Sequence, residues 1–240
     1  ITRQNVYRLL ARYNAFTQEW GENGLQVDIT YKPKALKKFG TQFNFNTSIS
    51  TPLGYFKGKT ISPINFEEDS NRYFREYYFE VQHKFTRKFK VLLGYQLINY
   101  NQSLFEAKPS VPYVMANTIF GEATYKITPS KSVRIESQYL RTEQDLGSFI
   151  NGLVEFNIAP HYSFSFGDMV NVDPGARNQP AAGTKFEIVH YWNIFGAYTY
   201  KNTRFTCGYI RQVEGVNCTG GVCRVEPAFS GVRVTLSTNF

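Results

Sequence analysis

The feature that most constrains this chain is the alternation in its last residues, Phe229 to Phe240, FSGVRVTLSTNF. Val232, Val234, Leu236 and Phe240 fall on one face of an extended strand, and Arg233, Thr235, Ser237 and Asn239 fall on the other. The same pattern recurs along almost the whole sequence, with a polar face on nearly every strand. A soluble sandwich would bury the apolar faces under a second apolar layer. The sequence offers no such layer, so lipid is the expected cover. Composition agrees: aromatic residues make up 17% of the 240, as 17 Tyr and 21 Phe against 2 Trp, and Tyr and Phe suit both strands and membrane interfaces. Mean hydropathy is −0.36, and no run approaches the roughly 18 apolar residues of a helical span. A barrel strand needs only about 9 to 11 residues with every other one polar, so a weak hydropathy signal is the expected one.

Read in order, residues 5–16 are expected to form a first strand, with Tyr7, Leu9, Ala11 and Tyr13 opposing Arg8, Arg12 and Asn14. The clearest strands follow. Leu25, Val27, Ile29 and Tyr31 alternate with Gln26, Asp28, Thr30 and Lys32, and Phe43, Phe45, Thr47 and Ile49 alternate with Gln42, Asn44, Asn46 and Ser48. Further strands are expected at 73–85, 91–97, 119–127, 133–139, 150–158, 162–166, 186–194, 205–209 and 229–240. That is about twelve strands in a transmembrane antiparallel up-and-down β-barrel, a single domain over 1–240. Short links (TRKF, TPSK, APH, KNT and the longer PKALKKFG) alternate with long ones at 53–71, 102–112, 173–183 and 214–226, the link at 145–148 being the short exception. Outer-membrane barrels have this asymmetry, with short periplasmic turns and long outer loops. Counting back from a periplasmic C-terminus places every short turn in the periplasm. The chain begins at Ile1, and ITRQNVYRL lacks a signal-peptide core, so the expectation is a mature form or a C-terminal fragment.

Two stretches, AFTQEWGENGLQVDITYKPKALKKFGTQFNFN at 15–46 and CTGGVCRVEPAFSGVRVTLSTNF at 218–240, resemble an uncharacterised outer-membrane β-barrel family of Bacteroidetes. The resemblance implies an outer-membrane barrel with no established activity. Members of that family are longer, so the C-terminal part of a barrel of about 14 to 16 strands is the alternative to closure within this chain.

The formal charge of +8 is spread over alternating strands rather than gathered in a patch, which argues against nucleic acid. Cys218 and Cys223 flank Thr-Gly-Gly-Val in an expected outer loop, where oxidising conditions favour a disulfide. Zinc fits poorly, because Cys207 and the scattered His83, His161 and His190 lack ligand spacing. No cofactor or metal is expected. No GxSxG, HExxH or phosphate loop occurs. His190 and Asp168 could be neighbours on the outer face near the rim, the arrangement a lipid-acting enzyme needs, but no serine shares that face. An interfacial histidine at headgroup level is the plainer reading.

By phase, the lumen-lining residues are Arg8, Arg12, Asp28, Lys32, Glu76, Glu80, Lys84, Glu122, Lys126, Arg134, Glu136, Glu155, Glu187 and Arg233. Both signs are interspersed. An ion-selective pore would show a ring of one sign, whereas mixed charges pair and fill a narrow lumen. The loop 53–71 carries Tyr55, Phe56, Ile61, Ile64 and Phe66 among charges, more apolar surface than a solvated loop needs. The expected function is a non-enzymatic structural or accessory barrel in a larger outer-membrane assembly. Its expected partners are outer-membrane lipid and other outer-membrane proteins or lipoproteins. A small-solute diffusion pore is the main alternative, and a lipid-modifying enzyme the minor one. Cysteine introduced at Lys57 should react with an impermeant reagent on intact cells and cysteine at Lys131 should not; the reverse pattern would invert the topology.

Overall fold

A computed structural model of the chain describes residues 5–15, 17, 21–53, 72–105, 113–219 and 222–239. Its strands in chain order are β1 (Glu22–Tyr31), β2 (Gln42–Pro52), β3 (Phe74–Lys84), β4 (Phe89–Tyr100), β5 (Val114–Lys126), β6 (Lys131–Arg141), β7 (Ser148–Ile158), β8 (Tyr162–Asp173), β9 (Val189–Tyr200), β10 (Thr203–Gln212), β11 (Gly215–Thr219), β12 (Val222–Glu226) and β13 (Phe229–Thr238). Eleven of them form one sheet in the order β1 to β10 and then β13, and β11 pairs only with β12. Every pairing is antiparallel between neighbours in that order, so the sheet is a meander. Among the described residues helical structure is confined to a 3-10 turn at Lys34–Phe39 and one turn, α1, at Gln102–Phe105. Among the described residues no helix is long and apolar enough to cross a membrane, which says nothing of strands.

The register bears out the phase read from the alternation. Val232, Val234 and Leu236 lie opposite Tyr209, Cys207 and Phe205, while Arg233 and Thr235 lie opposite Gly208 and Thr206. Around the sheet the outer face exposes Val27, Ile29, Phe79, Leu93, Ile119, Ile135, Val154, Phe166, Ile194 and Leu236. The inner face buries Asn46, Ser48, Glu76, Gln96, Thr118, Gln138 and Asn151. This reverses the polarity of a soluble fold. Successive connections also alternate between the two ends: 85–88, 127–130, 159–161 and 201–202 are short, and 53–73, 101–113, 142–147, 174–188 and 213–228 occupy the other end.

Four expectations are corrected. Of the strand expected at 5–16, the described residues 5–15 do not join the wall: they fold into turns inside the curved sheet, where Ala11 N–H bonds to Tyr7 O at 3.0 Å and Arg12 N–H to Leu9 O at 3.3 Å. The reason lies in spacing, since Tyr7 with Leu10 and Leu9 with Tyr13 sit three and four residues apart and share a side when the chain turns. All four are buried. The segment 214–226 is not a plain loop but carries the β11–β12 hairpin, whose strands are separated by Gly220-Gly221 in sequence. Among the described residues the wall therefore has eleven strands, against about twelve expected. Finally, β9 begins at Val189, which leaves Glu187 exposed in the preceding connection and outside the wall. Tyr55, Phe56, Ile61, Ile64 and Phe66 of the loop 53–71 fall outside the described residues.

The sheet does not close on itself: among the described residues β1 pairs only with β2, and β13 only with β10. Each edge strand is ten residues long. A free edge of that length presents roughly ten unpaired backbone groups. In an apolar medium each costs several kcal/mol, so the two edges together cost on the order of tens of kcal/mol there.

The long-connection end is tightly built. Gly147 has φ +81°, and a Cβ on it would stand 2.1 Å from Asp173 O and 2.3 Å from Gly175 N. Gly147→Ala is expected to cost about 2–4 kcal/mol. Gly152→Ala, with no atom within 4 Å of its added Cβ, should cost under about 1 kcal/mol. Denaturant midpoints in micelles check the difference.

Candidate functional site

The hollow of the sheet divides into two zones. Near the short turns, strands β4 to β7 bring charged side chains to one inner patch. Arg134 donates to Glu122 at 3.2 Å, to Glu136 at 2.9 Å and to Glu155 at 3.1 Å, and Lys90 stands 3.7 Å from Glu122. Gln138 donates to Glu136, and Asn157 to Glu155 at 2.7 Å. One guanidinium thus bridges carboxylates from three strands, since its planar donors reach several acceptors at once. Across the hollow, Gln96 donates to Glu76 at 2.5 Å, Tyr78 and Asn44 donate to Glu80, and Asn46 donates to Asp28 at 2.5 Å. The ion pairs here are those of Arg134 with Glu122, Glu136 and Glu155 and of Lys90 with Glu122, while Glu76, Glu80 and Asp28 accept from neutral side chains.

Near the long connections the inner face becomes apolar. Phe74, Tyr100, Val114, Leu140, Phe149 and Met169 form a buried cluster that Leu9 and Tyr13 complete. Tyr7 and Leu10 pack instead with Tyr78, Leu92 and Phe120. The segment is pinned by polar contacts: Leu9 N–H donates to Gln138 Oε1 at 2.7 Å, and Tyr7 OH donates to Glu122 at 3.3 Å. Arg12 donates to Asp145 at 2.9 Å with side chains only 7% and 2% exposed. Tyr13 OH adds a bond at 3.1 Å, and Arg177 reaches Asp145 at 2.6 Å and Glu214 at 2.5 Å. Burial alone would raise the Asp145 carboxyl, but the Arg12 charge and bonds from Gln102 and Arg177 outweigh it and hold it at about 2. Arg8, largely desolvated, is lowered to about 10 and bonds to the carbonyls of Tyr191 and Arg211 at 3.0 and 3.3 Å. A cavity of about 420 Å³ remains beside the segment, lined by Arg8, Arg12, Ser165, Asn193, Gln212 and Arg233 among others.

The other expected lumen residues are more exposed. Lys32 lies in the β1–β2 connection, Lys84 and Lys126 end their strands, and Arg233 faces inward from the edge strand. Asp145, Arg177 and Glu214 were not anticipated, because they sit in connections where strand phase carries no information. The one local sign is Asp145 at φ +50°, a conformation Asp tolerates better than most residues. On the outer face His190 Nδ1 lies 2.6 Å from Asp168 Oδ2, with side chains 56% and 29% exposed. Their strand neighbours on that face are Val170 and Trp192, and Ser163 and Ser165 belong to the inner face. Cys207 is exposed opposite Val234. Cys218 and Cys223 are direct backbone partners in the hairpin, and their side chains lie outside what is described. Among the described residues no group of His, Cys, Asp or Glu could hold a metal.

Because the folded carboxyl of Asp145 sits below its ordinary 3.8, its contribution is complete above about pH 4 and is lost as pH falls toward 2. The shift is equivalent to about 2 kcal/mol. In detergent, amide-exchange protection of residues 7–13 should fall over that window, and Asp145→Asn should weaken it at neutral pH and flatten the acid limb.

No curated protein sequence matches the chain. Among solved structures, LpxR from Salmonella typhimurium aligns with a TM-score of 0.35 and 10% identity, over 90% of this chain and 88% of that one. That likeness is too distant to bear on activity. A family of unknown function, DUF6029, matches residues 1–240, and the chain belongs to that family.

Proposed function

We propose that the chain forms the wall of an integral outer-membrane β-barrel without catalytic activity, acting as a structural or accessory barrel in a larger outer-membrane assembly. The observation that carries this reading is the outer face: from Val27 to Leu236 its exposed side chains are mostly aliphatic and aromatic around the sheet, with no second layer over them among the described residues. Lipid is the medium such a face suits. The inner face holds polar and charged groups that bond to one another. The alternation of short and long connections supports a periplasmic C-terminus, with the β11–β12 hairpin outside and a disulfide between Cys218 and Cys223 pinning it.

Two features favour an accessory role over a pore. The inner charges are of both signs and engaged with each other, so they present no single-sign ring to a passing ion. Inward Phe74, Tyr78, Phe120 and Phe149 fill space that a channel would leave to water. Among the described residues the strand neighbours of the outward His190–Asp168 pair on its face are Val170 and Trp192, neither a nucleophile, and the pair reads as a headgroup-level one.

The lipid-facing wall is tested by a pair of substitutions one residue apart. Val234→Arg puts a charge on the lipid face and should destabilise by about 2–4 kcal/mol, while Thr235→Arg faces the hollow and should cost far less. Refolding into vesicles against denaturant measures both, and equal effects would remove the lipid-facing assignment. The same material in planar bilayers should conduct weakly; a large, steady conductance would favour the diffusion pore.

A further inference from the structure

The carboxylates that surround Arg134 have no counterpart on the opposite side of the hollow. Strands β9, β10 and β13 contain no Asp or Glu, and the one carboxylate between Ser163 and Asn171 of β8 is Asp168, on the outer face. Arg204 and Arg233 do face inward there, opposite Ser237 and Gly208. The turns at 5–15 add two further guanidiniums to this side. Arg12 is neutralised by Asp145 at 2.9 Å. Arg8 is not: among the described residues no carboxylate forms an ion pair with it, and its bonds go to the carbonyls of Tyr191 and Arg211. Asp168, whose charge reaches it, is bonded to His190 on the outer side of the wall. A desolvated cation held only by neutral acceptors is costly until an anion joins it.

Arg8 and Arg233 both line the cavity of about 420 Å³, and so does Asn193. Asn193 is only 8% exposed, yet its side chain makes no hydrogen bond among the described residues. Buried amides are nearly always bonded, so an unpartnered one in a cavity wall marks a place for a polar guest. Glu214 reaches the same cavity, but its charge is met by Arg177 at 2.5 Å. Met169, Phe195 and Ile210 make other parts of the lining apolar. The volume falls within the roughly 300–1,000 Å³ of small-molecule sites.

We propose that this cavity binds an organic anion, its phosphate or carboxylate group held by Arg8, Arg233 and the Asn193 amide and its apolar body resting against Met169, Phe195 and Ile210. A guanidinium fork matches two oxygens of either group, and Arg8 spends only two bonds on backbone carbonyls, leaving donors for a guest. The inference does not depend on what covers the outer face of the wall.

The test uses the full chain in a nonionic detergent, titrated calorimetrically with phenyl phosphate, benzoate, inorganic phosphate and the neutral phenyl glucoside. At least one of the first two should bind, with inorganic phosphate at least about tenfold weaker and phenyl glucoside without measurable heat. Arg8 also ties the segment to β9 and β10, so the deciding variants are Arg233→Gln and Asn193→Ala, with folding checked by denaturant midpoint. Each should weaken the organic anion about tenfold, while Arg204→Gln, which removes the same charge from the hollow outside the cavity, should change it less than about twofold. In phosphatidylcholine vesicles, competition by added phosphatidylglycerol supports the site with a lipid headgroup as the source of the anion, and no competition supports it with a soluble one. Absence of binding by both organic anions overturns the proposal. Equal losses in Arg204→Gln and Arg233→Gln overturn it by reducing binding to general charge, and inorganic phosphate binding as tightly as phenyl phosphate overturns the apolar half of the site.

Discussion

A strand carries hydrogen-bonding groups along both edges, and where water is excluded only another strand can answer them. The meander meets this demand for β2 to β10, each of which is paired on both sides. With the backbone satisfied, the side chains are free to invert the usual distribution, apolar residues outward and polar ones inward. That inversion is stable only if the inner polar groups satisfy one another.

They do so by sharing. Arg134 is held by three carboxylates, and burial makes each of those bonds stronger than it would be at a surface. Removing one member would leave its partners charged and poorly solvated, which makes such a cluster rigid rather than adjustable. At the other end Asp145 plays the corresponding part, drawing Arg12 and Arg177 from two distant stretches of chain onto one carboxyl. The interior is therefore fixed at both ends by charge, with aromatic and aliphatic packing between.

How much of this was legible in the sequence depended on whether a residue sat in a regular strand. Period-two alternation gave the orientation of Val234, Arg233, Glu122, Arg134 and Glu155 without any contact being known, because one phase governs a whole strand. The same rule failed at residues 5–16. Their alternation is genuine, but Leu10 interrupts the polar side, and a turn that puts Leu9 and Leu10 together buries more than a strand facing water would. Glu187 was misplaced because the phase was extended past the point where β9 begins. Asp145, Arg177 and Glu214 lie in connections, where position follows from tertiary contact and no periodicity exists to read. Gly147 belongs to the same class, since its requirement for a bare Cα comes from Asp173 and Gly175, well away in sequence.

The neighbour-to-neighbour order has a kinetic consequence. Apart from the return of β13 to β10 past a small hairpin, every pairing joins strands adjacent in the chain, so each step closes only the loop between neighbours, and even the longer loops add little to the entropic penalty because it grows slowly with length. Such a wall can assemble one hairpin at a time, each new strand laid on an edge already formed. No strand has to search the whole chain for its partner.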